Sequence, residues 1–408
     1  MFKDYLHLIP KVTYLPDYSP VSATAWEGVQ ALWYEGAEYA GKPTKVFAYI
    51  GYPEMKEGEK VPAVVLVHGG GGHAFAHWIK IWNERGYAAI AMETEGFFPA
   101  KEWKGLTGTE GEPQERYVRE LYGALADECY TVGPKGDEMS EPNVPVCEQW
   151  IYHAIVDTIL AHNILKADKF IDKDKIGIVG VSWGSVITSL AIGYDTDYAF
   201  AIPIYGSAYL EYASTNVCRG FKEHKIRELW SAADRLSKVS FPVLWLCGLY
   251  DTAFCSYSNS LSYLNTKHTG SVLSVQEELY HSHEAAWERE ECYWFADSVI
   301  FGKQAFTLPV DEPNTFGKCS FRVFVPEKAE NVAVRVVYFT EAFAFDKDSK
   351  PINQGKIAPA ILSGDMVTAD IPEEAFCYYI EFQTVVDGKK LISTTSWITN
   401  QDNKSMIL

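Results

Sequence analysis

Short runs of apolar, β-branched residues recur through the first three quarters of this chain, separated by longer stretches with helical potential. Residues 63–68, 87–92, 175–180, 198–205, 243–248 and 271–277 are such runs. Between and after them, 74–86, 148–167, 183–193 and 287–301 read as helices. Strands alternating with helices predict a mostly parallel sheet covered on both faces. Val29 to Tyr34 and Thr44 to Tyr52, joined by a turn region containing Gly36, Gly41 and Pro43, predict an antiparallel edge to that sheet. Residues 1–25 carry Pro10, Pro16 and Pro20 and read as irregular.

After Gly302 the pattern changes. Ser320 to Val325, Val332 to Phe339, Met366 to Ile371, Phe376 to Val386 and Leu391 to Trp397 are β-rich, and Asp387-Gly388 is a hairpin signal. The expectation is an α/β domain over 1–303 followed by an all-β sandwich over 304–408. Two segments break the alternation, about 96–147 and about 207–238. Both leave the carboxyl ends of predicted strands, where open α/β sheets bind ligands, so they are expected to wall a substrate pocket.

One short stretch carries the chemistry. Gly180-Val181-Ser182-Trp183-Gly184 fits G-x-S-x-G, follows an apolar strand and precedes a helix. That context forces a serine onto a tight turn with its hydroxyl above the sheet. Upstream, Ala63 to Val67 runs into His68-Gly69-Gly70-Gly71-Gly72, a loop whose backbone N–H groups can face developing negative charge. Downstream, Asp251 follows the strand 243–248, and His281 and His283 follow the strand 271–277. Ser…Asp…His is the order expected for a nucleophile, an orienting acid and a base on this plan. Asp251 also suits an ordinary turn. His283, closer to the final helix, is the expected base, with His281 the alternative. The other seven histidines show no convergent spacing and read as surface or satisfied core.

On these stretches, with Ile202-Pro203-Ile204-Tyr205-Gly206-Ser207 and His281-Ser282-His283…Trp287, residues from about 28 to 303 resemble the α/β-hydrolase superfamily. Within it they resemble acetyl-xylan-esterase-like and dienelactone-hydrolase-like bacterial esterases, which are related to the prolyl-oligopeptidase catalytic domain. The resemblance implies Ser182 as nucleophile, oxyanion N–H groups from Trp183 and from Gly70 or Gly71, no cofactor, and short acyl esters of carbohydrates or other small alcohols as substrates. Ser185 departs from the pattern, standing where many relatives have a further glycine. A serine peptidase of the oligopeptidase type is the near alternative, and a catalytically dead hydrolase fold used for binding is the distant one.

Bulk properties narrow the partners. With 408 residues and a formal charge of −18, the chain should repel phosphate backbones and anionic lipid, which argues against nucleic-acid or membrane partners. Self-association is left open. No apolar run is long enough to span a bilayer. Met1 to His7 lack an apolar leader core, so a cytoplasmic location is the expectation. Eight scattered cysteines form neither a C-x-x-C pair nor a metal-ligand cluster and read as free thiols. No metal is expected.

Overall fold

The strands of the first half of the chain form where β-branched and small apolar residues can be buried on both faces. The computed structural model describes residues 1–16, 28–96, 143–212, 226–342 and 351–399. Contacts group the chain into two units, Met1–Pro203 with Gly220–Trp230, and Ile204–Arg219 with Ser231–Leu408. The boundary expected at 303/304 falls inside the second unit. Most of the 96–147 insertion lies outside the described residues, with Phe97, Phe98, Trp103, Tyr117, Leu121, Tyr122 and Cys129. So do 213–225 of the second insertion, with Cys218.

In the first unit, β1 (Val12–Tyr14), β2 (Val29–Glu35) and β3 (Lys45–Gly51) pair antiparallel in sequence order. β4 (Val61–Val67) and β5 (Ala88–Met92) flank helix α1 (Ala76–Glu84). β5 pairs antiparallel with β3 and parallel with β4, and β4 in turn pairs parallel with β6 (Ile171–Val181). The spatial order is therefore β1-β2-β3-β5-β4-β6. From β4 the chain crosses to β5 on one side, while β6 continues away on the other. Connections diverging from neighbouring parallel strands open a crevice at their carboxyl ends. Val67 is in register with Gly180 across β4 and β6, so the glycine loop and the G-x-S-x-G turn leave the sheet side by side.

Helix α2 (Trp150–Ala167) is buried on every side from Trp150 to Leu165, so its sequence shows no polar stripe. Helix α3 (Trp183–Ala191) begins directly after Ser182 and is buried throughout. β7 (Phe200–Ile204) reaches the end of the unit.

In the second unit, β8 (Leu244–Gly248) and β9 (Val272–Gln276) are fully buried and parallel, joined through helix α4 (Ser256–Thr266). The expected single last helix is two: α5 (His283–Trp287) and α6 (Glu290–Phe301). The remaining described strands are all antiparallel. They are β10 (Leu308–Pro309), β11 (Lys318–Phe324), β12 (Asn331–Phe339), β13 (Lys356–Ser363), β14 (Met366–Asp370), β15 (Cys377–Val386), β16 (Lys389–Thr394) and β17 (Ile398–Thr399). Phe321, Val336, Val367, Tyr378, Ile380 and Phe382 lie in their common core. Asp387 and Gly388, with φ of 48° and 70°, make the two-residue turn between β15 and β16 that the sequence signals. β16 also pairs with β9, Thr394 opposite Leu273.

Candidate active site

In the first unit the G-x-S-x-G turn has the conformation its composition requires. Ser182 sits at φ 56° and ψ −119°, a backbone region that side-chain-bearing residues rarely occupy and that persists only when neighbouring packing enforces it. That packing is on both sides. A Cβ at Gly184 would come within 2.1 Å of the Val67 carbonyl oxygen, and one at Gly180 within 2.2 Å of the Gly184 carbonyl oxygen. Helix α3 can therefore abut the end of β4 only with glycine at both positions. Ser182 ends up at the N-terminus of α3, where backbone N–H groups favour negative charge.

Trp183, the first residue of α3, is buried, and its ring meets Trp150 edge-on at 5.8 Å. Trp150 is fixed in turn, its indole N–H donating to the Thr94 carbonyl at 2.6 Å. The glycine loop closes as a turn, the Gly72 N–H donating to the Gly69 carbonyl at 2.9 Å with Gly71 at φ 68°. Gly70 lies against the Trp183 indole, where a Cβ would stand 2.8 Å from Cδ1. Of the two loop glycines expected to offer an oxyanion N–H, Gly71 already donates its N–H to Glu95 Oε1 at 2.9 Å.

Beneath this loop lies a buried polar cluster that the sequence did not signal. The His68 Nε2 is 3.1 Å from Glu93 Oε1 and within 3.0–3.1 Å of the Thr94 hydroxyl and N–H, while Nδ1 is 2.8 Å from the Gly69 carbonyl oxygen. Burial pulls the His68 pKa down, but the charge and hydrogen bond of Glu93, helped by Glu95, outweigh it and leave the ring more basic than usual.

In the second unit Asp251 is buried and both of its oxygens are committed. Oδ1 accepts the N–H groups of Ala253 and Phe254, each at 2.8 Å, and Oδ2 lies 2.7 Å from His281 Nδ1. Asp251 stands beyond the carboxyl end of β8, and His281 in the loop after β9. The expectation of His283 as the histidine beside Asp251 is corrected: the structure brings His281 there instead. The reason is local. Ser282 caps α5, its hydroxyl oxygen accepting the Ala285 N–H at 3.0 Å, which makes His283 the first helical residue. The His283 ring is drawn to Trp287 one turn on, at 6.2 Å. His281 is left in the loop, with the Tyr205 ring at 4.9 Å and the Phe254 ring, nearly parallel, at 6.3 Å. Tyr205 itself has φ 58°.

A second histidine–aspartate pair shows what distinguishes the first. His162 Nδ1 lies 2.7 Å from Asp195 Oδ2, but its side chain is 0% exposed and stacks on Tyr198, so it is a core residue. The His281 side chain is 32% exposed while its aspartate is 0% exposed. A base must be reachable while its orienting acid is sheltered, and of these two described pairs it is Asp251–His281 that has that asymmetry.

The cysteines add no chemistry among the described residues. Cys247 and Cys255 are buried near Asp251, and burial pushes the Cys255 thiol up to about 11, away from the reactive thiolate. Cys147 is exposed. Among the described residues no three His, Cys, Asp or Glu side chains are grouped to hold a metal, and no helix is long and apolar enough to cross a membrane.

Comparison with known proteins covers part of this chain. None of the curated proteins matches it. Among solved structures, it is similar to a Pyrococcus horikoshii acylaminoacyl peptidase at 15% identity and TM-score 0.45, over 67% of this chain and 48% of the peptidase. It is similar to an acetyl xylan esterase from a Paenibacillus species at 16% identity and TM-score 0.46, over 73% of this chain and 92% of the esterase. An acetyl xylan esterase from a Thermoanaerobacterium species gives 13% identity and TM-score 0.45, over 69% and 88%. The chain thus spans less than half of the peptidase. The model of the prolyl oligopeptidase family matches residues 146–308, a stretch that holds Ser182, Asp251 and His281. Over that stretch the chain is similar to the prolyl oligopeptidase family, in keeping with the α/β-hydrolase resemblance of its motifs.

Proposed function

We propose that this chain is a serine hydrolase acting on short acyl esters, with Ser182 as nucleophile, His281 as base and Asp251 as orienting acid. The observation that carries the reading is the Asp251–His281 pair, 2.7 Å apart, sheltered at the acid and accessible at the imidazole. A serine hydroxyl attacks an acyl carbon only when a base accepts its proton. With Nδ1–H held by Asp251, His281 presents Nε2 as that base, and Asp251 stabilises the imidazolium that forms. The same Nε2–H then protonates the departing alkoxide, and a second cycle with water frees the acid. Trp183 N–H and Gly70 N–H are the proposed oxyanion donors. Gly71 can join them only by giving up Glu95. One such donor is worth about 2.7–4 kcal/mol of barrier.

An ester is favoured over an amide as substrate by the sequence resemblance to acetyl-xylan-esterase-like proteins. The second reading, a peptidase, is favoured by the family match over 146–308. In either case the partner is a small molecule, and the strongly acidic charge disfavours nucleic acid and anionic membrane. We take the C-terminal strands to be an accessory β-sandwich.

The test is turnover of acetyl, butyryl and longer esters and of acetylated sugars beside aminoacyl and peptidyl amides, together with a fluorophosphonate probe. The wild-type chain should take up the probe and turn over acetyl esters fastest. Ser182→Ala should lose both with its circular dichroism unchanged. Amides cleaved faster than esters would select the peptidase, and a wild-type chain that does not label would mean a binding protein.

A further inference from the structure

We propose that the C-terminal β region acts in the reaction as a positioning platform, holding the two loops that carry Asp251 and His281. The inference rests on those two residues being acid and base. Tyr250 is the key residue. It immediately precedes Asp251, and its hydroxyl oxygen accepts the N–H of Gly355, at 3.0 Å, from the segment leading into β13. Its ring meets Phe339, the last residue of β12, edge-on at 6.5 Å.

The partner side of this contact is rigid. Gly355 is packed so closely that a Cβ there would stand 3.1 Å from both Val337 and Phe339. Phe339 is itself paired with Cys377 on β15, and the Asn353 amide ties the incoming loop to the Ala342 carbonyl at 2.6 Å. The second loop is braced as well. Glu277 directly follows β9 and lies 3.8 Å from Arg335 of β12. Arg335 is held by a two-pronged bond to the buried Glu381, at 2.8 and 3.0 Å. β9, which leads into the His281 loop, is paired with β16 through Leu273 and Thr394.

Loops hold side chains less accurately than strands, and productive geometry tolerates errors of only about 0.5 Å. Oδ1 of Asp251 is fixed by its own turn, and that turn is tied to the sheet at its base, where the Leu249 N–H donates to the Gln276 carbonyl at 2.8 Å. The Tyr250 hydroxyl adds a second tie on the far side, one residue away from the acid. Tyr250 is thus a positioning residue, and the β region beyond residue 303 contributes to turnover without touching substrate.

The experiment is Tyr250→Phe in the full chain, with kcat and KM measured on a short acyl ester and with Ser182→Ala and His281→Ala alongside. The substitution keeps the ring against Phe339 and removes the acceptor. Expected is a kcat reduced about tenfold with KM unchanged. A kcat equal to wild type would overturn the proposal, even if thermal stability fell, since a bond that only braces the fold moves stability alone. Should Tyr250→Phe not fold, Phe339→Leu loosens the same contact from the other side and is read in the same way. Persistent activity in His281→Ala or Ser182→Ala would instead remove the assignment of base or nucleophile. Inactive forms of those two beside an unaltered Tyr250→Phe would remove the platform alone.

Discussion

Two histidines separated by one residue have different fates because a hydroxyl lies between them. Ser282 starts a helix, His283 becomes its first turn, and His281 stays in the loop facing Asp251. The consequence is measurable. His281→Ala should lower kcat on the order of 10⁶-fold, the size seen when the histidine of such a trio is removed. His283→Ala should stay within a few-fold, with any loss appearing as stability through its contact with Trp287. Steady-state kinetics on the two single variants decide, and equal losses would refute the assignment.

At this scale the sequence announced the serine, the aspartate and the glycine loop because each sits where a strand ends. The placement of His281 rather than His283 beside Asp251 was not legible, because the helical run was expected only from 287, whereas α5 already begins at His283 behind its Ser282 cap. The engagement of Gly71 by Glu95 was invisible, since a hydrogen bond between residues twenty-four apart leaves no local pattern.

Among elements, those with their own signal were readable. The parallel strands are uninterrupted apolar runs, and the β15–β16 turn is written as Asp-Gly. At that turn Gly388 has φ 70°, a conformation that costs a side-chain-bearing residue about 1–2 kcal/mol. Gly388→Val should therefore lower the urea midpoint by that much stability without altering turnover. A midpoint unchanged within error would mean that the turn does not hold the hairpin.

Elements governed by neighbours were missed. β13 contains Pro359, which argues against a strand, yet it pairs with both β12 and β14. Helix α4 is composed largely of Ser, Asn and Tyr, residues that usually read as loop. Its buried hydroxyls are satisfied inside the element, Ser258 and Ser262 bonding carbonyls at Cys255 and Ser258. Tertiary burial and not periodicity makes it a helix. β1, in a stretch read as irregular, owes its existence to pairing with β2.

For the whole molecule the informative fact is where contacts divide the chain. A change of composition after Gly302 suggested that the last hundred or so residues stand apart. Contacts instead group them with β8 and β9. The bonds are specific: Glu291 of α6 accepts the Ile392 N–H at 3.0 Å, Glu312 accepts from Ser396 and from Tyr263 of α4, and the Trp397 N–H donates to Ser260 at 2.8 Å. Glu291 is buried, with its pKa raised first by that burial and only partly restored by the Ile392 N–H. Without its partner it would be a buried carboxylate short of a hydrogen bond, which is costly. Truncation after residue 303 should accordingly leave no cooperative thermal transition. A truncated chain that unfolds sharply would show that the composition break is a true domain boundary.

The pairing of Thr394 with Leu273 also bears on how this protein meets copies of itself. A terminal strand with bare amides and carbonyls is where open sheets fuse, both in orderly dimers and in aggregates. Here β8 occupies one flank of β9 and β16 the other. Strand-to-strand annealing through β9 is therefore blocked at this pair by the chain's own β16.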